Sequence, residues 1–140
     1  MRSRIGIWRH RLLAVCLIAP LTPAPFAQAE AWRAPDSPFT LGEAYPDVPA
    51  TCETVGDWID HAPTIDGRIS FAIVGELVAA EWDGTLAYLV MCPEGSVQVM
   101  CVTYSKDGRA VGDRVLFGGG WSRIDHDKIM LDPCLASPEE

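Results

Sequence analysis

Alternating hydrophobic and polar positions dominate the second half of the chain. In residues 68–82 the odd-numbered positions form one apolar face, which Gly75 interrupts. A period of two residues indicates a β-strand, and the glycine predicts that this long strand bends. Four further strands are predicted at residues 85–92, 97–104, 114–117 and 128–134. Residues 85–92 are apolar on both faces, which predicts that this strand is buried on both sides.

Turn-forming residues separate these strands, beginning with the hairpin dipeptide Asp83-Gly84. The three glycines at 118–120 follow the fourth strand and predict a flexible strand, a bulge or a close backbone approach. They lack the Lys-Ser/Thr pair of a phosphate-binding loop. Residues 52–63 allow a helical turn or two, but no helix of ten or more residues fits after residue 68. The predicted fold class is therefore all-β.

The first 50 residues differ in composition from the rest. Residues 1–29 have a basic start, a short apolar run and the ending Ala27-Gln28-Ala29, which is the pattern of a cleaved signal peptide. The apolar run is too short for a membrane anchor, which needs about 20 residues. Residues 30–50 contain four prolines, which make regular structure hard to sustain, and they predict an extended arm. A single domain is expected at 51–136, with a tail at 137–140.

The net charge of the protein indicates which classes of partner its surface repels. The 140 residues have a net charge of −8, but all four arginines before position 30 lie in the predicted signal peptide. Residues 30–140 carry 7 basic and 19 acidic side chains, a net charge of −12. Such a surface repels phosphate backbones and anionic lipids, so nucleic acid is a disfavoured partner.

Four cysteines remain after residue 29: Cys52, Cys92, Cys101 and Cys134. An even number in a small exported domain predicts two disulfides, and the absence of Cys-x-x-Cys pairs argues against zinc. If the second hairpin turns at Glu94-Gly95, Cys92 faces Val97. Cys101 then lies about 13 Å farther along the ladder, beyond the ~7 Å that a disulfide spans. A Cys92–Cys101 bond is excluded unless that loop is much wider.

The strand pattern resembles the OB-fold, a five-stranded barrel. The resemblance covers residues 68–134 and rests on the glycine-bent first strand, the Val111-Gly112-Asp113-Arg114-Val115 segment before strand four, and the short last strand. An SH3-like barrel or a small sandwich is the alternative. The resemblance implies that strand five lies beside strand three, so that Cys101 pairs with Cys134 and Cys52 with Cys92. The Cys52–Cys92 bond would then tie the extended N-terminal arm to the domain.

In OB-folds the face of strands two and three and the neighbouring loops bind the ligand. The resemblance therefore implies that an aromatic edge on or beside those elements is the ligand site. The predicted ligand-binding residues are Trp82, Tyr88, Tyr104, Trp121 and Arg123. Some of these rings could instead belong to the core.

The sequence favours an exported, non-enzymatic binding or interaction domain, periplasmic or secreted, without a cofactor or a membrane span after signal cleavage. Its expected partner is a protein, a peptide or a saccharide. The alternative is a metal-binding or hydrolytic protein centred on Asp125, His126 and Asp127, because carboxylates beside an imidazole can orient it or ligate a metal. A polar hairpin tip explains the same three residues without chemistry.

Overall fold

The computed structural model describes residues 31–139, so the predicted signal peptide at 1–29 lies outside the described residues. Seven strands and one short α-helix follow a 3-10 turn at Ala31–Arg33. The elements are β1 (Phe39–Leu41), β2 (Ala50–Thr51), α1 (Val55–Asp60), β3 (Ile69–Trp82), β4 (Ala87–Met91), β5 (Gln98–Thr103), β6 (Arg114–Asp125) and β7 (Lys128–Pro138).

Five of these strands close a barrel. The hydrogen-bonded order is β3, β4, β5, β7 and β6, and β6 returns to pair with β3. The β5–β7 pair is parallel and the other pairs of the ring are antiparallel. The strands β1 and β2 pair with β3 outside the ring. The all-β fold class and the small OB-like barrel predicted from the sequence are thereby confirmed.

Every second side chain of the barrel strands fills its interior. The completely buried residues of β4, β5 and β7 are Ala87, Leu89, Met91, Val99, Cys101, Ile129 and Leu131. Successive side chains of a strand point to opposite faces, so the residues between these point away from the core. This alternation decides which side chains are available to a ligand.

The long strand β3 pairs with its two neighbours in the ring along different parts of its length. Its residues 70–76 pair with β6 and its residues 77–82 pair with β4, with a register shift between Leu77 and Ala79. A Cβ added to Gly75 would lie 2.8 Å from the Sγ of Cys52. The glycine predicted to bend this strand therefore lies where β3 changes partner, and it makes room for a disulfide.

Residues 31–50, the described part of the proline-rich segment, pack against the barrel. Trp32 and Phe39 are buried, and the Phe39 ring lies 4.8 Å from that of Phe71. Two short strands, β1 and β2, begin within this segment. A proline removes only its own backbone donor, and strands of two or three residues fit between the prolines. At the other end, β7 extends to Pro138, two residues into the predicted tail.

The three glycines lie inside β6, so the predicted end of this strand at residue 117 was wrong. A Cβ on Gly118 would overlap the ring of Tyr45. A Cβ on Gly119 would overlap the carbonyl oxygen of Pro133 and lie 2.9 Å from the Cα of Cys134. The glycines therefore allow a side chain and a neighbouring strand to approach β6 closely, which was one of the predicted alternatives.

Both predicted disulfides are present. The Cα atoms are 5.4 Å apart in Cys52–Cys92 and 5.3 Å apart in Cys101–Cys134. The predicted hairpin register was wrong by one residue, since Met91 rather than Cys92 ends β4 and pairs with Val99. Cys92 has a positive φ of 74° and leaves the ladder, which widens the turn. In the described part of the chain, no helix has the length and apolar character that crossing a membrane requires.

Candidate functional site

One apolar surface lies on the outside of the barrel. We call it the outer face; its outward-pointing residues are Tyr88, Val90, Met100, Val102 and Met130. Val90 pairs with Met100, which pairs with Met130 on the next strand, and Tyr88 pairs with Val102. Val102 is buried, whereas the other four side chains are partly exposed. The prediction that residues 85–92 are buried on both faces was therefore wrong for the outward side.

Three carboxylates border the Tyr88 end of the outer face. Glu81 is the cross-strand partner of Tyr88, and the Tyr88 hydroxyl donates to the Oδ2 of Asp83 at 3.0 Å. This hydrogen bond is the main cause of the raised pKa of Tyr88, followed by burial and by the negative charges of Asp83 and Asp132. Within residues 31–139, no basic side chain lies within 4.0 Å of any of the three carboxylates.

The Asp83 carboxylate is fixed by the turn that contains it. The backbone N–H groups of Leu86 and Thr85 each donate to its Oδ1 at 2.8 Å. These two bonds, with the smaller contribution of the Tyr88 hydroxyl, hold the pKa of Asp83 below its ordinary value. A charged carboxylate and a tyrosine ring are therefore held together at one end of an apolar surface.

The five predicted ligand-binding residues do not form one surface. Tyr88 lies on the outer face, and Tyr104, which is 79% exposed, lines a cavity of about 410 Å³ with Tyr45 and Leu135. Trp82 pairs with Ala87, whose side chain is in the interior, so Trp82 lies at the end of the barrel on its inward side.

Trp121 packs against the core. Its ring meets that of Phe39 edge-on at 5.3 Å and lies 6.1 Å from that of Phe71. These contacts hold the segment that contains β1 against the barrel. The side chain is nevertheless partly exposed and lines a cavity of about 360 Å³ with Arg68 and Asp132.

Arg123 connects two parts of the chain. Its guanidinium donates to the carbonyl oxygens of Ile59 at 3.4 Å, Asp125 at 3.2 Å and His126 at 3.0 Å. It also lies 3.9 Å from a carboxylate oxygen of Asp60. Arg123 therefore fastens the end of α1 to the β6–β7 hairpin, beside a cavity of about 620 Å³ between these elements.

The hairpin tip brings Asp125, His126 and Asp127 together. One ligand atom from each residue lies within 4.8 Å of the others, because residues 126 and 127 form the turn and do not alternate as strand residues do. The Asp125 carboxylate already accepts the His126 backbone N–H at 2.7 Å, and this bond is the first cause of its lowered pKa. The His126 side chain is 82% exposed. These three groups could contact a cation only at an open surface.

Sequence reasoning did not identify Val90, Met100 and Met130 as site residues. The signal for Val90 was present in the two apolar faces of residues 85–92, which also fit a strand covered on both sides. Periodicity shows which residues share a face, but it does not show whether other parts of the chain cover that face.

The scan against models of known protein families finds no match, and no curated protein matches the chain significantly.

Proposed function

We propose that the protein is an exported, non-enzymatic binding domain that holds a protein or peptide ligand on the outer face. The observation that carries this proposal is the row Val90, Met100 and Met130 across three strands, with Tyr88 beside it. Four of the five outer-face side chains are partly exposed, and contiguous apolar side chains on the surface of a soluble domain often mark a binding site. The proposal also places the ligand on the face that OB-folds use.

The chemistry of the outer face favours a polypeptide over a saccharide. Aromatic rings stack sugars, but Tyr88 is the one ring on this face and its hydroxyl is bonded to Asp83. Methionine side chains are flexible and polarizable, and they adapt to apolar side chains of different shapes. Val90, Met100 and Met130 would therefore contact aliphatic or aromatic side chains of a polypeptide.

Export is supported by two observations of different kinds. Residues 1–29 carry the pattern of a cleaved signal peptide. Both disulfides have a bonding geometry, and such bonds persist in oxidising compartments such as the periplasm or the extracellular space. We accordingly propose a periplasmic or secreted location for this OB-like domain. Mass spectrometry of exported protein should give an N-terminus at Glu30, and retention of residues 1–29 would contradict it.

The function is tested by making the outer face polar without adding charge. The double variant Met100→Gln/Met130→Gln keeps side chains of similar length and should fold, because both residues point away from the core. The matched control is Val111→Gln/Ile65→Gln, which changes two exposed apolar residues elsewhere. Immobilised wild type and control should capture the same protein from an extract of the exported fraction, and the outer-face variant should lose it. Equal capture by all three, or no capture by the wild type, would contradict the proposal.

A further inference from the structure

We infer that the partner is a cationic protein segment, with apolar side chains on the outer face and a Lys or Arg at its Tyr88 end. The inference rests on the proposed function and names the chemistry of its ligand. It is carried by charge complementarity, because Glu81, Asp83 and Asp132 stand beside an apolar surface and none of the three has an ion-pair partner within 4.0 Å among the described residues.

The distribution of charge along the outer face determines at which end the cation of the partner binds. At the opposite end from Tyr88, Lys128 pairs with Gln98 and Asp125, and its charge helps to lower the pKa of Asp125. Basic and acidic groups therefore balance one another at that end. At the Tyr88 end, Arg68 lines a cavity with Asp132, whereas Glu81 and Asp83 form no ion pair within 4.0 Å, so a ligand cation gains most beside these two carboxylates.

The Tyr88 end offers two kinds of contact to a cation. The carboxylates accept hydrogen bonds from an ammonium or, in a bidentate arrangement, from a guanidinium. The face of a tyrosine ring attracts the same cations through its quadrupole. Because Asp83 holds the Tyr88 hydroxyl at 3.0 Å, both contacts come from groups already held in place.

The same charges oppose other occupants of an apolar face. Nucleic acid and anionic lipid would bring negative charge against a surface that already carries a net −12 over residues 30–140. A second copy of this chain would place two acidic borders against each other across a symmetric interface. A cationic polypeptide is the macromolecule for which both the apolar and the charged groups are favourable.

The test is selection from a random 12-residue peptide library on the purified protein. Peptides that also bind the Met100→Gln/Met130→Gln variant are removed first, so that those retained depend on the outer face. The retained peptides should be enriched in Lys or Arg next to apolar residues. The affinity of the enriched consensus peptide should fall about tenfold in Glu81→Gln/Asp132→Asn, as expected for two exposed charge pairs. It should be unchanged in the control Glu94→Gln/Asp36→Asn, which removes the same charge elsewhere.

The outcomes separate the two proposals. Retained peptides without excess Lys or Arg, or a consensus peptide that binds Glu81→Gln/Asp132→Asn as tightly as wild type, would overturn the cationic partner and leave the outer face as the ligand site. Selection of no peptide that depends on the outer face would overturn the inference, while the capture experiment would still decide the proposed function. Binding of an RNA oligonucleotide or anionic vesicles through the outer face would also overturn the cationic partner.

Discussion

Alanine substitutions at Gly118 and Gly119 should differ in cost, because a Cβ at each position meets a different kind of obstacle. At Gly118 the obstacle is the ring of Tyr45, a partly exposed side chain tied by a 3.4 Å hydrogen bond from its hydroxyl to the Leu135 carbonyl. At Gly119 the obstacle is the backbone of Pro133 and Cys134. A side chain can swing outward, whereas backbone inside a paired strand cannot.

The magnitudes follow from these obstacles. Inserting a methyl group where neighbours cannot relax lowers the free energy of unfolding by ~1–3 kcal/mol or more. Replacing glycine by alanine also lowers the conformational entropy of the unfolded chain, which raises the free energy of unfolding by ~0.4–1 kcal/mol. Cys134 is also held by its disulfide to Cys101, so the cost of Gly119→Ala should lie near the upper end of this range. The variant should lose about 2–3 kcal/mol of its free energy of unfolding. Gly118→Ala should cost about 1 kcal/mol, through displacement of the Tyr45 ring.

The assay is urea unfolding of the two variants, alone and combined with Tyr45→Ala. Removing the ring removes the obstacle at Gly118, so Gly118→Ala should become neutral or slightly stabilising in the Tyr45→Ala background. Gly119→Ala should cost the same in both backgrounds, because its obstacle remains. The reasoning is refuted if Gly119→Ala is neutral, or if Gly118→Ala costs as much without the Tyr45 ring as with it.

Three further predictions concern other parts of the molecule. Cys52→Ala/Cys92→Ala should lower the free energy of unfolding by ~4 kcal/mol, because the disulfide closes a loop of 40 residues; unchanged urea unfolding would contradict this. Asp83 has a lowered folded-state pKa, so its stabilising effect is complete above the unfolded value of ~3.9 and is lost as the pH falls through the folded value. Thermal melts from pH 6 to pH 2 should therefore show a weaker acid dependence in Asp83→Asn, and an identical profile would exclude this role. Micromolar Zn²⁺ should leave the His126 ring resonances in an NMR spectrum unshifted, since its neighbours lie at an exposed turn; saturable shifts would favour the metal-binding alternative.

Much of the barrel could be predicted because its strands carry an alternating pattern. Leu89 and Met91 on one face, with Tyr88 and Val90 on the other, define β4 from the sequence alone. The disulfide pairing followed from the resemblance to an OB-fold, which placed the last strand beside β5. Strand periodicity was sufficient to predict β4, and the strand order of the OB-fold was sufficient to predict the disulfide pairing.

The remaining features depend on contacts that periodicity does not report. The end of β6 was placed too early because glycines carry no side-chain pattern, whereas Gly118 pairs with Ala72 and Leu135 and leaves room for the ring of Tyr45. The hairpin register was shifted by one residue because Cys92 adopts a positive φ, which is unusual for a residue other than glycine.

The candidate site was only partly predictable for a related reason. Trp121 and Arg123 are residue types that often bind ligands, but here they hold β1 and α1 against the barrel. Tyr88 lies on the outer face of the barrel, and its role in ligand binding stays a prediction. Val90 beside it was predicted to be buried, because an apolar side chain looks the same in sequence whether it is covered or not.

Methionine methyl NMR tests the central claim most directly. The described chain has three methionines: Met91 is completely buried in the core, while Met100 and Met130 are partly exposed on the outer face. Titration of ¹³C-methyl-methionine protein with the selected peptide should shift the Met100 and Met130 resonances and leave that of Met91 in place. Unchanged Met100 and Met130 resonances at a peptide concentration that saturates binding would show that the ligand binds elsewhere, and would contradict the account.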